Sequence, residues 1–232
     1  MGTVLITGAN RGIGLELVRC YASLGDTVVA CCRAPESAHE LNEIAAAHTS
    51  VRVEQLKVTE PASLAGLKSR LGEQTIDILL NNAGAPGPFL DKEPQGALDF
   101  EAWHDTFAVN TLAPLHVLRQ LRSNLARDGG GKAITVSSQM GAISFEMPNT
   151  MYAYCASKAA LNKVMHMAAD DFRTDSIAVH LLHPGWVQTD MGGANADITA
   201  AQSAAGIVKV IAGLGLDDAP SFMTWNGEPH AW

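Results

Sequence analysis

A tyrosine and a lysine stand four residues apart in Tyr154-Cys155-Ala156-Ser157-Lys158, inside an Ala-rich stretch with helical character. That spacing puts both side chains on one helical face, close enough to interact. A phenol normally ionises near pH ~10 and is a poor acid–base catalyst at neutral pH. A neighbouring ammonium favours the phenolate, so Lys158 is expected to bring Tyr154 toward the working range of a proton donor. A lone pair of this kind is more often an ordinary surface pair, so its weight depends on what surrounds it. Tyr152 has Ala156 at the +4 position instead of a lysine and is the weaker candidate.

The second chemical signal is Thr7-Gly8-Ala9-Asn10-Arg11-Gly12-Ile13-Gly14, directly after an apolar strand. Gly8, Gly12 and Gly14 permit a tight turn, close approach of the backbone to a phosphate, and close packing of the next helix. The N–H groups and positive dipole end of that helix then face the phosphate. Asn10, Arg11 and Ile13 belong to the same expected cradle. Strand before and helix after make the motif far more specific than glycines alone.

Strand-like and helix-like segments alternate along the chain and must position these residues. Strands are expected at Val4–Ile6, Thr27–Cys32, Val51–Val58, Ile76–Leu80, Ala133–Ser137 and Ile177–Leu182, with a short one near Phe222–Trp225. Helices are expected near Gly12–Leu24, Glu36–His48, from Pro61, from Trp103 to Arg127, through Tyr154 to Phe172, and at Ala200–Leu214. Gly129, Gly130 and Gly131 are expected to end the fourth of these. The alternation predicts a doubly wound parallel α/β sheet of Rossmann type, about seven strands with helices on both faces. Near-continuous apolar strands agree with burial on both sides. Ligands bind such sheets beyond the carboxyl ends of the strands, where the candidate motifs fall.

At 232 residues the chain fits one domain with a substantial core. Hydrophobic residues make up 47% and the net charge is -8, which argues against disorder and against a nucleic-acid or anionic-membrane surface. No apolar run approaches the ~20 residues of a membrane span, and with the first strand starting so early no signal peptide is expected. Cys20, Cys31, Cys32 and Cys155 and the eight histidines show no metal-ligand spacing, so no metal is expected. Cys31 and Cys32 face opposite sides of a strand, so a disulfide framework is not expected. The expected setting is the reducing cytoplasm.

The interval between the glycines resembles the short-chain dehydrogenase/reductase family. Asn81-Asn82-Ala83-Gly84 after the fourth strand, Asn110 in Val109-Asn110-Thr111, Ser138 in Ser138-Gln139-Met140-Gly141, and Pro184-Gly185 with Val187 and Thr189 match its motifs in order. The resemblance implies that Tyr154 exchanges a proton with a carbonyl or alcohol oxygen, and that Ser138 hydrogen-bonds the same oxygen. It implies that Lys158 holds the nicotinamide ribose and that Asn110 holds a proton-relay water. It assigns Asn82, Ala83, Gly84, Pro184, Gly185, Val187 and Thr189 to the cofactor site, with Val58 near the adenine. The family commonly has Asp where Lys57 stands, and Lys57 is expected to point to solvent. The interval from Ser138 to Tyr154 is longer than is usual in the family, and residues 142–151 are expected to absorb the difference in a surface loop at the substrate mouth.

The second strand ends in Ala30-Cys31-Cys32-Arg33 without the acid that usually holds the ribose hydroxyls of NAD. Arg33 and Arg11 are both expected to reach a 2′-phosphate, which favours NADP(H). Met140, Phe145, Met147, Trp186 and Met191 suggest an adaptable apolar substrate lining. Within the family the chain looks like the C-factor-like and sniffer-like carbonyl reductases, on Tyr154 to Asn162, on His183 to Gly193 and on the terminal Gly227–Trp232. Expected partners are a small carbonyl or alcohol substrate and further copies of the chain, as homodimer or homotetramer. A nucleotide-binding signalling protein is the rival reading.

Overall fold

The computed structural model describes residues 1–89, 97–126, 130–146 and 150–232. Its first half runs β1 (Thr3–Thr7), α1 (Gly12–Ser23), β2 (Thr27–Cys32), α2 (His39–Ala47), β3 (Val51–Gln55), α3 (Pro61–Leu71) and β4 (Ile78–Asn81). Then come α4 (Phe100–Phe107), a π-helical segment (Ala108–Leu112), α5 (Ala113–Gln120), α6 (Arg122–Leu125) and β5 (Lys132–Val136). The chain continues through a 3₁₀ turn (Gln139–Gly141), α7 (Tyr152–Arg173), β6 (Ala178–His183) and β7 (Val187–Gln188). It closes with β8 (Ile198–Thr199), α8 (Ala200–Gly213) and β9 (Ser221–Thr224).

Seven strands form one parallel sheet in the order β3-β2-β1-β4-β5-β6-β9, as the alternation predicts. Alternate strand residues feed two separate cores. Leu5, Val29, Leu79, Ala133 and Val179 face one core with Leu64, Leu67, Leu118, Met165 and Phe172 from α3, α5 and α7. Val4, Ile6, Val28, Leu80, Ile134 and Leu182 face the other with Leu17, Val18, Leu41, Ile207 and Ile211 from α1, α2 and α8. Each fully buried aliphatic side chain contributes roughly 1.5–3 kcal/mol, so these layers hold the strand ends in place. Cys31 and Cys32 fall into opposite cores. No helix among the described residues is long and apolar enough to cross a membrane.

Several boundaries differ from expectation. β3 stops at Gln55, not Val58, because the Lys57 N–H donates to Ser63 Oγ and the Glu60 N–H to Lys57 O, turning the chain into α3. The expected helix from Glu36 is split, with a 3₁₀ turn at Pro35–Ser37 before α2. The expected single helix from Trp103 is four consecutive segments, and Arg127 and Gly129 lie outside the described residues. The small parallel pair of β7 and β8 was not expected at all.

Candidate functional site

The order of the sheet reverses beside β1, whose neighbours are β2 and β4, and the glycine-rich loop lies at the carboxyl end of β1. Gly8 has φ +66 and a Cβ there would lie 2.9 Å from Ala83 Cα, so only glycine lets the two loops meet. A Cβ at Gly14 would stand 2.2 Å from Gly8 O, which forces α1 to sit hard against the turn. Arg11 is the residue before α1, no side chain caps the helix and its first turn holds no acid. The opening N–H groups of Gly12, Ile13 and Gly14 are thus left to a ligand or to solvent. Asn10 is exposed on the same loop.

The turn after β4 is tied to β1 by side chains. Asn82 Nδ2 donates to the carbonyls of Thr7 and Gly8, both at 3.1 Å, and the Asn82 and Ala83 N–H groups donate to Thr7 Oγ1. Thr7 carries no signal in the sequence beyond its place before Gly8. Across the crevice, Gly185 has φ +88 and Ser203 Oγ donates to Pro184 O at 2.6 Å. Val187 is buried, and Thr189 lies over Gly12, whose Cβ would be 3.2 Å from Thr189 Cγ2.

Arg11 and Arg33 follow the neighbouring strands β1 and β2. Arg11 Nη1 pairs with Asp190 Oδ2 at 2.5 Å, joining the glycine-rich loop to the segment after β7. Arg33 is exposed just past β2, where its carbonyl accepts from Gln55 Nε2. Val58 is turned into the α3–α5 side, beside Thr7, Asn81, Ala83 and Val109. Lys57 faces solvent as expected and pairs with Glu60 at 3.0 Å.

Tyr154, Ser138, Lys158 and Asn110 are all buried, and they converge at the carboxyl ends of β4 and β5. Tyr154 and Lys158 share the inward face of α7, with Nζ 5.9 Å from the phenol ring centroid. The Ser138 hydroxyl lies close enough to the Tyr154 phenol to lower it. Lys158 Nζ donates to Val136 O at 2.9 Å, and a Cβ at Gly84 would lie 3.9 Å from Nζ and 3.5 Å from Asn110 Oδ1. Gly141 lets the turn after Ser138 press onto α7, since a Cβ there would meet the Lys158 backbone at 2.8 Å.

The electrostatics depart from expectation. Burial raises the Tyr154 phenol, and the Ser138 hydroxyl lowers it against that trend. Burial also pushes Lys158 down, to about 8. The ammonium donates to Val136 O, and desolvation of the phenol outweighs the attraction that the spacing of the two residues suggests. Asn110 uses its whole amide on the fold: Oδ1 accepts from Ala85 N–H, and Nδ2 donates to Ala85 O and Ser157 Oγ. Ser157 in turn donates to Tyr154 O and is wholly buried, a supporting role that its place inside the motif does not reveal.

The short chain dehydrogenase family profile matches residues 2–199. The chain belongs to the short-chain dehydrogenase family. The chain is 36% identical to the C-signal of Myxococcus xanthus over 157 residues, 68% of this chain and 93% of that protein. NADPH-bound carbonyl reductase from chicken fatty liver has a similar structure, with TM-score 0.89 and 33% identity, covering 100% of this chain and 99% of that one. The carbonyl reductase Sniffer of D. melanogaster matches with TM-score 0.88 and 30% identity over 100% of both chains. The resemblance to C-factor-like and sniffer-like members is therefore real.

The apolar residues expected at the substrate mouth divide into two groups. Met140 and Phe145 line a 260 Å³ cleft with Tyr152, Cys155 and Ala159, on the face of α7 turned away from Tyr154. Trp186 and Met191 are about half exposed beyond Pro184-Gly185, and Trp186 Nε1 donates to Gly192 O. Met147 lies outside the described residues.

Proposed function

We propose that this chain is an NADP(H)-dependent carbonyl reductase, reversible as an alcohol dehydrogenase, acting in the cytoplasm as a homodimer or homotetramer built from single dinucleotide-binding domains. The observation that carries the reading is the burial of Ser138, Tyr154 and Lys158 together, with the Ser138 hydroxyl beside the phenol and the lysine one helical turn on. A nucleotide sensor needs only the glycine-rich crevice and has no use for a sheltered acid. The uncapped start of α1 suits a pyrophosphate, and Arg33 suits a 2′-phosphate.

Hydride chemistry is supplied by the nicotinamide when NADPH is bound. Ser138 donates a hydrogen bond to the substrate oxygen and stabilises the negative charge that develops there. Tyr154, kept protonated by burial, gives its proton to that oxygen as the alcohol forms. Lys158 holds the ribose and offsets the charge left on the phenol. Return of a proton runs through water held at Asn110. The side chain of Asn110 is committed to Ala85, so the main-chain carbonyl is the group for that water. Its ordinary α-helical donor would be residue 114, and Pro114 has no N–H to give. The π segment at Ala108–Leu112 follows from the same break.

A panel of ketones and aldehydes with NADPH, read at the absorbance of the reduced nicotinamide, tests the activity. Tyr154→Phe should keep NADP⁺ binding and reduce turnover about 10²-fold or more, the usual range of general acid catalysis being ~10²–10⁴. Tyr152→Phe should do much less. Equal losses from the two would overturn the assignment of the acid.

A further inference from the structure

His183 ends β6 and is buried beneath the turn that carries Ser138. β5 and β6 run parallel in register up to Val136 and Leu182, and the Ser137 N–H continues the ladder by donating to Leu182 O at 2.8 Å. There the ladder ends, and the chain turns through Gln139–Gly141. Three N–H groups in that turn need acceptors. Met140 N–H donates to Ser138 Oγ at 3.2 Å, and Gly141 N–H to Ser138 O at 2.9 Å. Gln139 N–H donates to His183 Nδ1 at 3.2 Å, the only one of the three bonds that comes from another strand. It fixes the residue next to Ser138 to the rigid sheet.

An imidazole nitrogen can accept only if it carries no proton, so this bond assigns the neutral ring with its proton on Nε2. Burial and the adjacent His230 hold His183 in that form, down to about 4. His230 lies against it, edge to face with ring centroids 5.5 Å apart. The segment bearing His230 is itself fastened to β9. His230 N–H donates to Phe222 O at 2.8 Å, Thr224 N–H donates to Glu228 O at 2.8 Å, and His230 packs against the Phe222 ring.

We propose that His183 is a positioning residue for Ser138: its unprotonated Nδ1 anchors Gln139 so that the Ser138 hydroxyl stays against Tyr154, with the segment 227–232 shielding the ring. The inference rests on the reading of Ser138 as the hydroxyl that meets the substrate oxygen. A displacement of about 1 Å at such a group can cost on the order of 10²-fold in rate.

The test compares His183→Leu, which has no acceptor, with His183→Asn, whose carbonyl can replace Nδ1. The Leu variant should lower kcat for a carbonyl substrate by about tenfold to 10²-fold, with NADP⁺ affinity from fluorescence titration unchanged. The Asn variant should recover most of that loss. In the Leu background Ser138→Ala should cost much less than it does alone, since two changes acting through one group are not additive. Full additivity, or wild-type turnover in the Leu variant, overturns the proposal. If Ser138→Ala alone leaves turnover intact, the reading of Ser138 has failed instead. Should the Leu variant not fold, the wild-type protein still decides: slow exchange of the Gln139 amide and an unprotonated His183 Nδ1 in ¹⁵N spectra are expected. Fast exchange or a protonated Nδ1 overturns the assignment.

Discussion

Burial, more than neighbouring charge, governs the two ionisable groups at the centre of this site. Tyr154 is raised from its ordinary value, so it stays protonated through neutral and mildly alkaline solution. Lys158 is lowered to about 8, so its charge is complete below that pH and disappears above it. The alkaline limb of kcat/KM for carbonyl reduction should therefore fall near pH 8 and belong to Lys158, not to the phenol. A kcat/KM profile that stays flat to pH 9 and above would contradict this. Cofactor choice rests on a different residue. Arg33→Ala should weaken NADPH binding about tenfold or more while leaving NADH almost unchanged, because a charge-assisted hydrogen bond is worth roughly 1.5–3 kcal/mol and only NADPH carries the 2′-phosphate. The ratio of kcat/KM for the two cofactors in parent and variant measures it, and an unchanged ratio would remove Arg33 from the site. The sequence displayed the type and spacing of these residues, yet the direction of the tyrosine shift was hidden in it. Spacing reports which groups are neighbours, whereas the shift depends on how deeply both are buried.

Two loops face each other across the crevice, and the Arg11–Asp190 pair joins them. The pair is exposed, at 64% and 79% for the two side chains, so its own contribution is small, about 0.2–1 kcal/mol. It still competes with any phosphate for the guanidinium of Arg11. Asp190→Asn should release Arg11 and tighten NADP⁺ by about twofold to fivefold, with the gain shrinking at high salt. Titration at two ionic strengths checks this, and weaker binding would mean that the pair instead holds Thr189 in place. The glycines of this loop were legible because only glycine fits at Gly8 and Gly14, and the alternation of elements was legible because each strand feeds two cores. The break in α4–α5 was harder to see: Pro114 was visible, but nothing in the apolar pattern distinguishes a π turn from an α turn. β3 looked longer than it is because Leu56 and Val58 continue its alternation, while Ser63 ends it through a hydrogen bond that no pattern records. His183 and Ser157 were missed for a similar reason, each acting on a group that is distant in sequence or in the main chain.

The outer surface of the molecule carries apolar side chains that neither core uses. Leu112 of the π segment and Met167 of α7 are each 61% exposed, on elements that pack against one another, and Phe100 of α4 and Tyr152 at the start of α7 are also exposed. Scattered exposed hydrophobics need no explanation, but these fall on the same helices that position Asn110 and Tyr154. A two-fold pairing of those helices would set like surface against like surface and bury them twice over. It would also stiffen the elements holding the acid and the relay. Sedimentation at micromolar concentration should therefore give a dimer or tetramer. Leu112→Glu together with Met167→Glu should dissociate it, because two buried, unpaired carboxylates per protomer are costly at an interface. The wild-type chain sedimenting as a monomer up to about 100 μM would sink the proposal, since a stable interface of ordinary size holds well below that concentration.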